Sequence, residues 1–388
     1  MKVLLISANT LTTPYPVYPL GLDYVADAIA ANHEIKIVDI NNLGEHGSLG
    51  KEIDDYSPDI IGLSLRNIDN ADSVNKKGFI SEYQQYVKTI RQYSSAPLVL
   101  GGSGFTLFPA EVMEALGAEY GIIGEGERLA HLLEAMEKQK DPSRIPGIMT
   151  LSEEKEVPEP FDRSFALTYL PHISRTKYYL KNGGMLNLQT KRGCTFRCIY
   201  CTYPRIEGSH LRLTPPEDVA NNAMRLQDTG AKYFFIVDSV FNSDYSHSIE
   251  VARAFKKAGI SIPWGAFFAP TKPPEGYYRI MADAGLSHVE FGTESLSGNM
   301  LKTYKKPFGI KHILNAHEAA IEAGLFTAHY FLLGGPGEDE DSLNETLSNI
   351  AMLNKSVLFF FALCAFTRIL FFMTLQWKRA RYQGLRAY

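Results

Sequence analysis

Cysteine is scarce in this chain: four in 388 residues. Three of them share one short loop, which argues against a disulfide framework and for a reducing, cytoplasmic setting. An excess of charge of one sign is also missing. The net charge of -4 comes from mixed acidic and basic residues that form no basic stripe, so nucleic acid is not an expected partner. Short-period repeats and low-complexity tracts are absent. The opening run Met-Lys-Val-Leu-Leu-Ile-Ser lacks a small-residue cleavage site and reads as a first buried strand rather than a signal peptide. No apolar run makes a convincing membrane span. What is present is a globular composition, 45% hydrophobic, in a chain long enough for two domains with full cores.

Cys194, Cys198 and Cys201 stand in Lys-Arg-Gly-Cys-Thr-Phe-Arg-Cys-Ile-Tyr-Cys-Thr-Tyr-Pro, a C-x3-C-x2-C spacing. A cubane 4Fe-4S cluster normally takes four thiolates, so three from one loop leave an iron open to a small molecule. A catalytic metal site withholds a ligand for the same reason. Zinc is the competing metal, but a structural zinc site needs a fourth ligand and usually a paired C-x-x-C knuckle. The remaining cysteine, Cys364, lies far away in an apolar run. Unligated buried or redox cysteines are the third reading.

This loop, with the aromatic Tyr200 before its last cysteine, resembles the radical S-adenosylmethionine (radical SAM) superfamily. The resemblance implies a 4Fe-4S cluster whose open iron chelates S-adenosylmethionine, cleavage of that molecule by the reduced cluster, and an electron donor such as flavodoxin or ferredoxin. It also places Tyr200 near the adenine.

Residues 1–140 alternate apolar strands (3–7, 35–39, 60–64, 98–100 and 120–123) with amphipathic helices, the pattern of a doubly wound, Rossmann-like α/β sheet. Helix 21–31 sets Leu22, Val25, Ala26 and Ile29 on one face. Ligands of such sheets bind beyond the strands' carboxyl ends. There the sequence has residues 9–19, Ser64 with the residues up to Asn70, Gly101-Gly102-Ser103-Gly104 and Gly124-Glu125-Gly126-Glu127. Glycine at such a place permits close backbone approach to a ligand, and equally makes an ordinary connector. Taken in order, these elements resemble the cobalamin-binding domain that precedes many radical SAM domains. The Asp-x-His-x-x-Gly element that supplies a lower axial histidine in some cobalamin domains is missing: the stretch after the first strand reads Ala-Asn-Thr-Leu-Thr-Thr-Pro-Tyr-Pro. A cofactor-free scaffold is the other reading of this domain.

A proline-bearing linker is expected over 141–185. Strands at 186–190, 233–237, 263–268, 288–291, 327–333 and 357–361 then predict a partial (β/α)6 barrel with its chemistry at the strands' carboxyl ends. The resemblance marks three places there. Asp238 follows the second strand, where the family contacts S-adenosylmethionine; a helix cap is the alternative. Glu294 and Ser295 belong to a Gly-x-Glu-Ser element directed at the cofactor's ribose or methionine end. Gly334 and Gly335 open a Gly-x-Pro-Gly-Glu turn in which Glu338 is a candidate cap of the next helix. Tyr203 and Arg205 line either the site or the domain interface. No catalytic residue is assigned, and His210, His247, His288 and His329 are not nominated as ligands. Phe234, Phe235, Phe267 and Phe268 suit either a core or a hydrophobic substrate.

The resemblance as a whole implies a class B methyltransferase-like enzyme that uses cobalamin to methylate or rearrange an unactivated carbon of a small-molecule or lipid-like substrate. A catalytically inactive binding protein is the alternative. It stops at residues 362–388, an apolar and then basic tail. Back-translating that tail and reading two bases later gives, with suitable codons, Ala-Met-Arg-Ile-Tyr-Pro-His-Thr-Leu-Leu-Tyr-Asp-Ile-Ala-Val-Glu-Glu-Gly-Lys-Ile, which resembles the family's continuation. A frameshift near residue 361 is therefore expected, with loss of proper packing partners and an aggregation hazard. Resequencing the gene across this junction checks it. The expectation is overturned if the present frame is confirmed and the natural 388-residue protein is soluble and makes 5′-deoxyadenosine.

Overall fold

The computed structural model describes residues 1–362 except 44–47, 71–75, 152–154, 163–166 and 168–172; Cys364 and the tail from 363 onward lie outside the described residues. The first sheet is built from β1 (Lys2–Ser7), β2 (Glu34–Asp39), β3 (Ile60–Ser64), β4 (Leu98–Gly101), β5 (Tyr120–Ile122) and β6 (Ile148–Met149). Its order is β2-β1-β3-β4-β5-β6, parallel except for the antiparallel β6. The apolar runs in β1 and β3 are continuous because both faces are covered. Leu4, Ile6, Ile61 and Leu63 pack to one side against Ile53, Tyr83 and Val112, while Val3, Leu5 and Ile60 pack to the other against Leu22, Ala26, Ile29 and Leu132. The strand order reverses at β1 and β3, which opens a crevice beyond their carboxyl ends.

The expected strands and the 21–31 helix are all present, the helix running Leu20–Ile29. The linker beginning at 141 is corrected. β6 completes the first sheet from beyond that boundary, and the helix Ile173–Asn182 docks on it through Tyr179, whose hydroxyl donates to Asp39 at 2.6 Å, and Arg175, which reaches buried Asp23 at 2.8 Å. A two-residue strand carries no readable period, so prolines dominated the sequence signal there.

The second sheet comprises β7 (Leu186–Leu188), β10 (Phe234–Ile236), β11 (Trp264–Phe268), β12 (Leu286–Glu294), β13 (Phe326–Leu333) and β14 (Ser356–Ala362). It is wholly parallel, in the order β14-β13-β12-β11-β10-β7, and is the expected partial barrel. Between its first two strands β8 (Lys191–Arg192) and β9 (Arg212–Leu213) form a small antiparallel ladder. Phe234, Trp264, Phe268 and Phe291 face the outer helices and interlock as aromatic pairs, whereas Phe267 faces inward and is 37% exposed. No helix of the described residues is long and apolar enough to cross a membrane.

A buried histidine pair ties β12 and β13 to the helix Ile310–Glu322. His329 hydrogen-bonds Thr293 at 2.7 Å and His317 at 3.1 Å. Burial, and then the neighbouring His317, hold the His329 imidazole down at about 3. The unfolded chain binds that proton near 6.5, so the neutral histidine contributes stability that is present above about pH 6.5 and is lost as the pH falls toward 3. Between about pH 7 and 5 the wild type should lose about 2 kcal/mol more than His329→Gln. Urea unfolding of both proteins across that range checks this.

Candidate functional site

The cysteine loop leaves the second sheet just after β7 and is held at its root by buried polar contacts. Asp238, at the end of β10, accepts from the Thr190 N–H at 2.7 Å, from the Thr190 hydroxyl at 2.5 Å and from Lys191 Nζ at 2.8 Å. Lys191 also donates to the Phe241 carbonyl at 2.8 Å. Asp238 is thus consumed within the protein at 1% exposure, and the helix cap considered for it belongs instead to Asp244, which caps Tyr245–Ala258. Its carboxylate orients the strand that delivers the cysteines. Gly193 has φ 89°, and a Cβ there would collide with the His210 carbonyl, so the turn into Cys194 requires glycine. The loop closes through Cys194 N–H to the Gly208 carbonyl at 3.1 Å and Gly193 N–H to Glu207 at 3.2 Å. Burial raises the Glu207 carboxyl to about 7, with Arg192 opposing.

Burial pushes up the thiols of Cys198 and Cys201, the latter to about 11, with Cys198 and Cys194 adding to the rise at Cys201. Three mutually interacting thiols on one loop suit a metal, which binds thiolate and offsets the charge that burial disfavours. Among the described residues no group of three or more His, Cys, Asp and Glu is placed to hold a single metal ion. Three thiols from one loop are the donor chemistry of a multi-iron cluster with one iron open.

Tyr200 comes together with Glu294 and with Lys306, which the sequence reading missed. The Tyr200 hydroxyl donates to Glu294 Oε1 at 2.7 Å, and Lys306 Nζ lies 2.8 Å from that oxygen and 3.0 Å from the Tyr200 hydroxyl. Burial, then Glu294, raises the Tyr200 phenol far above its usual range. Glu294 sits at φ 64°, a left-handed conformation that is strained for a residue with a side chain. Ile199 N–H reaches the Tyr304 carbonyl at 3.3 Å, and Tyr304 packs edge-on to Tyr200 at 5.7 Å. Lysine is so common on surfaces that only its pairing with Glu294 distinguishes Lys306.

Ser295 lies elsewhere. Its hydroxyl pairs with Thr346 at 2.9 Å and accepts from the Ser297 N–H at 3.0 Å, fixing the helix Glu340–Asn349. Gly334 turns with φ 79°, and a Cβ on Gly335 would strike the Tyr304 hydroxyl, so both glycines serve a tight turn beside the Tyr200 group. Glu338 binds the Gly334 N–H, while the following helix is capped by Asp339.

On the first sheet, Ser64, Gly101, Gly102 and Ser103 do lie at neighbouring strand ends. A Cβ on Gly102 would come within 2.6 Å of the Leu65 carbonyl, and the Ser103 hydroxyl donates to the Arg66 carbonyl at 2.9 Å. The close approach that glycine permits is thus made to the neighbouring loop. Gly124-Glu125-Gly126-Glu127 clamps the domains together: Arg192, next to Gly193, meets Glu125 at 3.0 Å and Glu127 at 2.6 Å, and Arg212 meets Glu125 at 2.6 Å. Arg66 is different. Burial lowers the pKa of its guanidinium, the phenols of Tyr203, Tyr15, Tyr179 and Tyr83 lie near it, and no carboxylate pairs with it among the described residues. Tyr203 therefore lies at this junction between the two domains. Burial lowers the Arg205 pKa, with Glu111 opposing.

Asp238→Asn leaves the buried Lys191 ammonium without its counter-charge. It is expected to cost about 3 kcal/mol or more, read from the urea midpoint. An unchanged midpoint would remove the clamp from this account.

Comparison with known proteins gives the same two units. The B12 binding domain family matches residues 6–133 and the radical SAM superfamily matches residues 188–350. Cytidylyl-2-hydroxyethylphosphonate methyltransferase of Streptomyces wedmorensis is 25% identical over 411 residues, covering 89% of this chain and 75% of its own. Tryptophan 2-C-methyltransferase of Streptomyces laurentii is 22% identical over 431 residues, covering 92% and 71%. The radical S-adenosylmethionine methyltransferase TsrM from Kitasatospora setae, solved with cobalamin and a 4Fe-4S cluster bound, shares the fold with a TM-score of 0.84 at 23% identity, over 93% of this chain and 74% of that one. By these matches the chain carries a B12-binding domain followed by a radical SAM domain, and over most of its length it is similar to the methyltransferases named above.

Proposed function

We propose that Cys194, Cys198 and Cys201 hold a 4Fe-4S cluster beside S-adenosylmethionine, that cobalamin lies between the strand-end loops of the first sheet and the second domain, and that the enzyme methylates or rearranges an unactivated carbon of a small molecule. The observation that carries this reading is the cysteine loop itself. It stands at the carboxyl end of β7, and Arg192 at its root is paired to Glu125 and Glu127 of the first domain. When bound, the cluster with S-adenosylmethionine supplies one-electron bond cleavage and cobalamin supplies a methyl carrier. The chain does the positioning. Lys306 and Glu294 offer opposite charges for the amino and carboxylate groups of the methionine end, and Tyr200 fixes the Glu294 carboxylate. Arg66, with no acidic partner among the described residues, offers its charge to an anionic part of cobalamin. The strand-end loops 8–19, 64–70, 101–104 and 124–127 contain no histidine, so cobalamin is held without a lower ligand from them. A reductant of the flavodoxin or ferredoxin type and a cytoplasmic location accord with a thiolate-held cluster.

Anaerobic reconstitution with iron and sulfide, followed by a 5′-deoxyadenosine assay with dithionite, tests the reading. Wild type should take up iron and form 5′-deoxyadenosine, whereas Cys194→Ala, Cys198→Ala and Cys201→Ala each lose the cluster by iron content and electron paramagnetic resonance. Cys364→Ala should keep it. A full cluster in any of the first three variants would sink the assignment, and a cluster without 5′-deoxyadenosine would favour a binding protein. Cobalamin bound to the full chain should show no nitrogen hyperfine signal from histidine, and Arg66→Gln should weaken its binding about tenfold.

A further inference from the structure

The inner face of the second sheet carries a negative charge among aromatic rings that none of the roles above uses. Val289 and Phe291 are buried against the outer helices, so the alternation of β12 turns His288 and Glu290 inward. Glu290 lies in register with Phe267 of β11, and on β13 Tyr330 lies in register with Phe359 of β14. The Tyr330 hydroxyl donates to Glu290 Oε2 at 2.7 Å, and His288 Nε2 stands 3.1 Å from Glu290 Oε1. Ser287 Oγ, which donates to the Trp264 carbonyl at 3.1 Å, stands 3.0 Å from His288 Nδ1. No lysine or arginine lies within 4 Å of Glu290 among the described residues, and its side chain is 16% exposed.

Rings surround this carboxylate. Tyr233 stacks on His288 with centroids 5.8 Å apart, Phe267 meets Tyr330 at 6.0 Å, and Tyr330 stacks on Phe359 at 5.0 Å. Phe267 and Phe359 remain 37% and 42% exposed. From the first domain, Tyr15 feels the Glu290 charge, so this face lies toward the domain junction. A carboxylate with no lysine or arginine beside it, set among aromatic rings, attracts a cation twice, by charge and by the ring quadrupoles. Neutral hydrocarbon gains nothing from that charge, and an anion is repelled.

We propose that this inner face is the substrate-recognition site and that it takes a substrate carrying a cationic nitrogen, an ammonium or protonated ring nitrogen, seated against Glu290 beside Phe267 and Tyr330. The proposal rests on the function above only in taking the barrel interior as the substrate chamber. Glu290 is a binding and specificity-determining residue here, and the rings fill the space around the nitrogen.

Calorimetric titration of the full chain with three probes of one shape tests it: 2-phenylethylamine (a cation), 2-phenylethanol (neutral) and phenylacetate (an anion). Wild type should bind the amine at least about tenfold more tightly than the alcohol, and phenylacetate more weakly still. Glu290→Gln should bring amine and alcohol within about twofold of each other, with the circular dichroism spectrum unchanged. Should Glu290→Gln fail to fold, Phe267→Leu serves in its place, and it should weaken amine binding more than alcohol binding. No amine binding to wild type, no preference for the amine, or a preference that survives the informative variant overturns the proposal. The titration needs neither reduction nor turnover. A chain that prefers the amine yet forms no 5′-deoxyadenosine would therefore contradict the function and leave this site standing.

Discussion

The pairing of Arg192 with Glu125 and Glu127 joins everything else in this molecule. Arg192 is one residue from the glycine that turns the chain into Cys194, and its partners end the fifth strand of the other domain. The guanidinium also lies 4.5 Å over the Tyr24 ring, and Arg212 from β9 shares Glu125. A planar, permanently charged fork can serve several acceptors in one fixed geometry, which a flexible ammonium cannot. A buried pair of this kind gives little net stability against an apolar substitute, yet losing one partner leaves a stranded charge. Its main consequence is therefore registration: the cysteine loop has one position relative to the strand ends of the first sheet.

A second buried pair, Lys191 with Asp238, fixes the same loop from its own domain. Adjacent residues of β8 thus point in opposite directions, one to each sheet, as strand alternation requires. The loop between β8 and β9 is anchored at its root while its cysteines stay at the barrel's open end. Tyr200, Glu294 and Lys306 then close its far side. The loop is held from three directions by charged groups, and the strained backbone at Glu294 persists because those contacts over-determine it.

The barrel divides its aromatic residues by strand parity. Phe234, Trp264 and Phe291 form the outer core, while Tyr233, Phe267 and Tyr330 line the inner face with Glu290. Neighbours such as Phe267 and Phe268 look alike in sequence and do opposite work. Composition makes both candidates for core; one-residue alternation in β11 decides that only Phe268 belongs there.

The sequence by itself determined the strands, their alternation with helices, the division into two α/β units and the three cysteines. Each of these follows from local spacing: apolar runs bounded by glycine and proline, and thiols close enough to share one loop. Tyr200 and Glu294 stood out there as candidates, because their motif context is local. Only the tertiary structure decided that β6 completes the first sheet, that Asp238 and Ser295 are spent on internal contacts, that the Gly-Glu-Gly-Glu turn binds the other domain, and that Lys306 and Arg66 are distinctive. Lys306, for example, meets partners 12 and 106 residues away in the chain. A charge acquires meaning from what it faces after folding, and no periodicity in the chain records that.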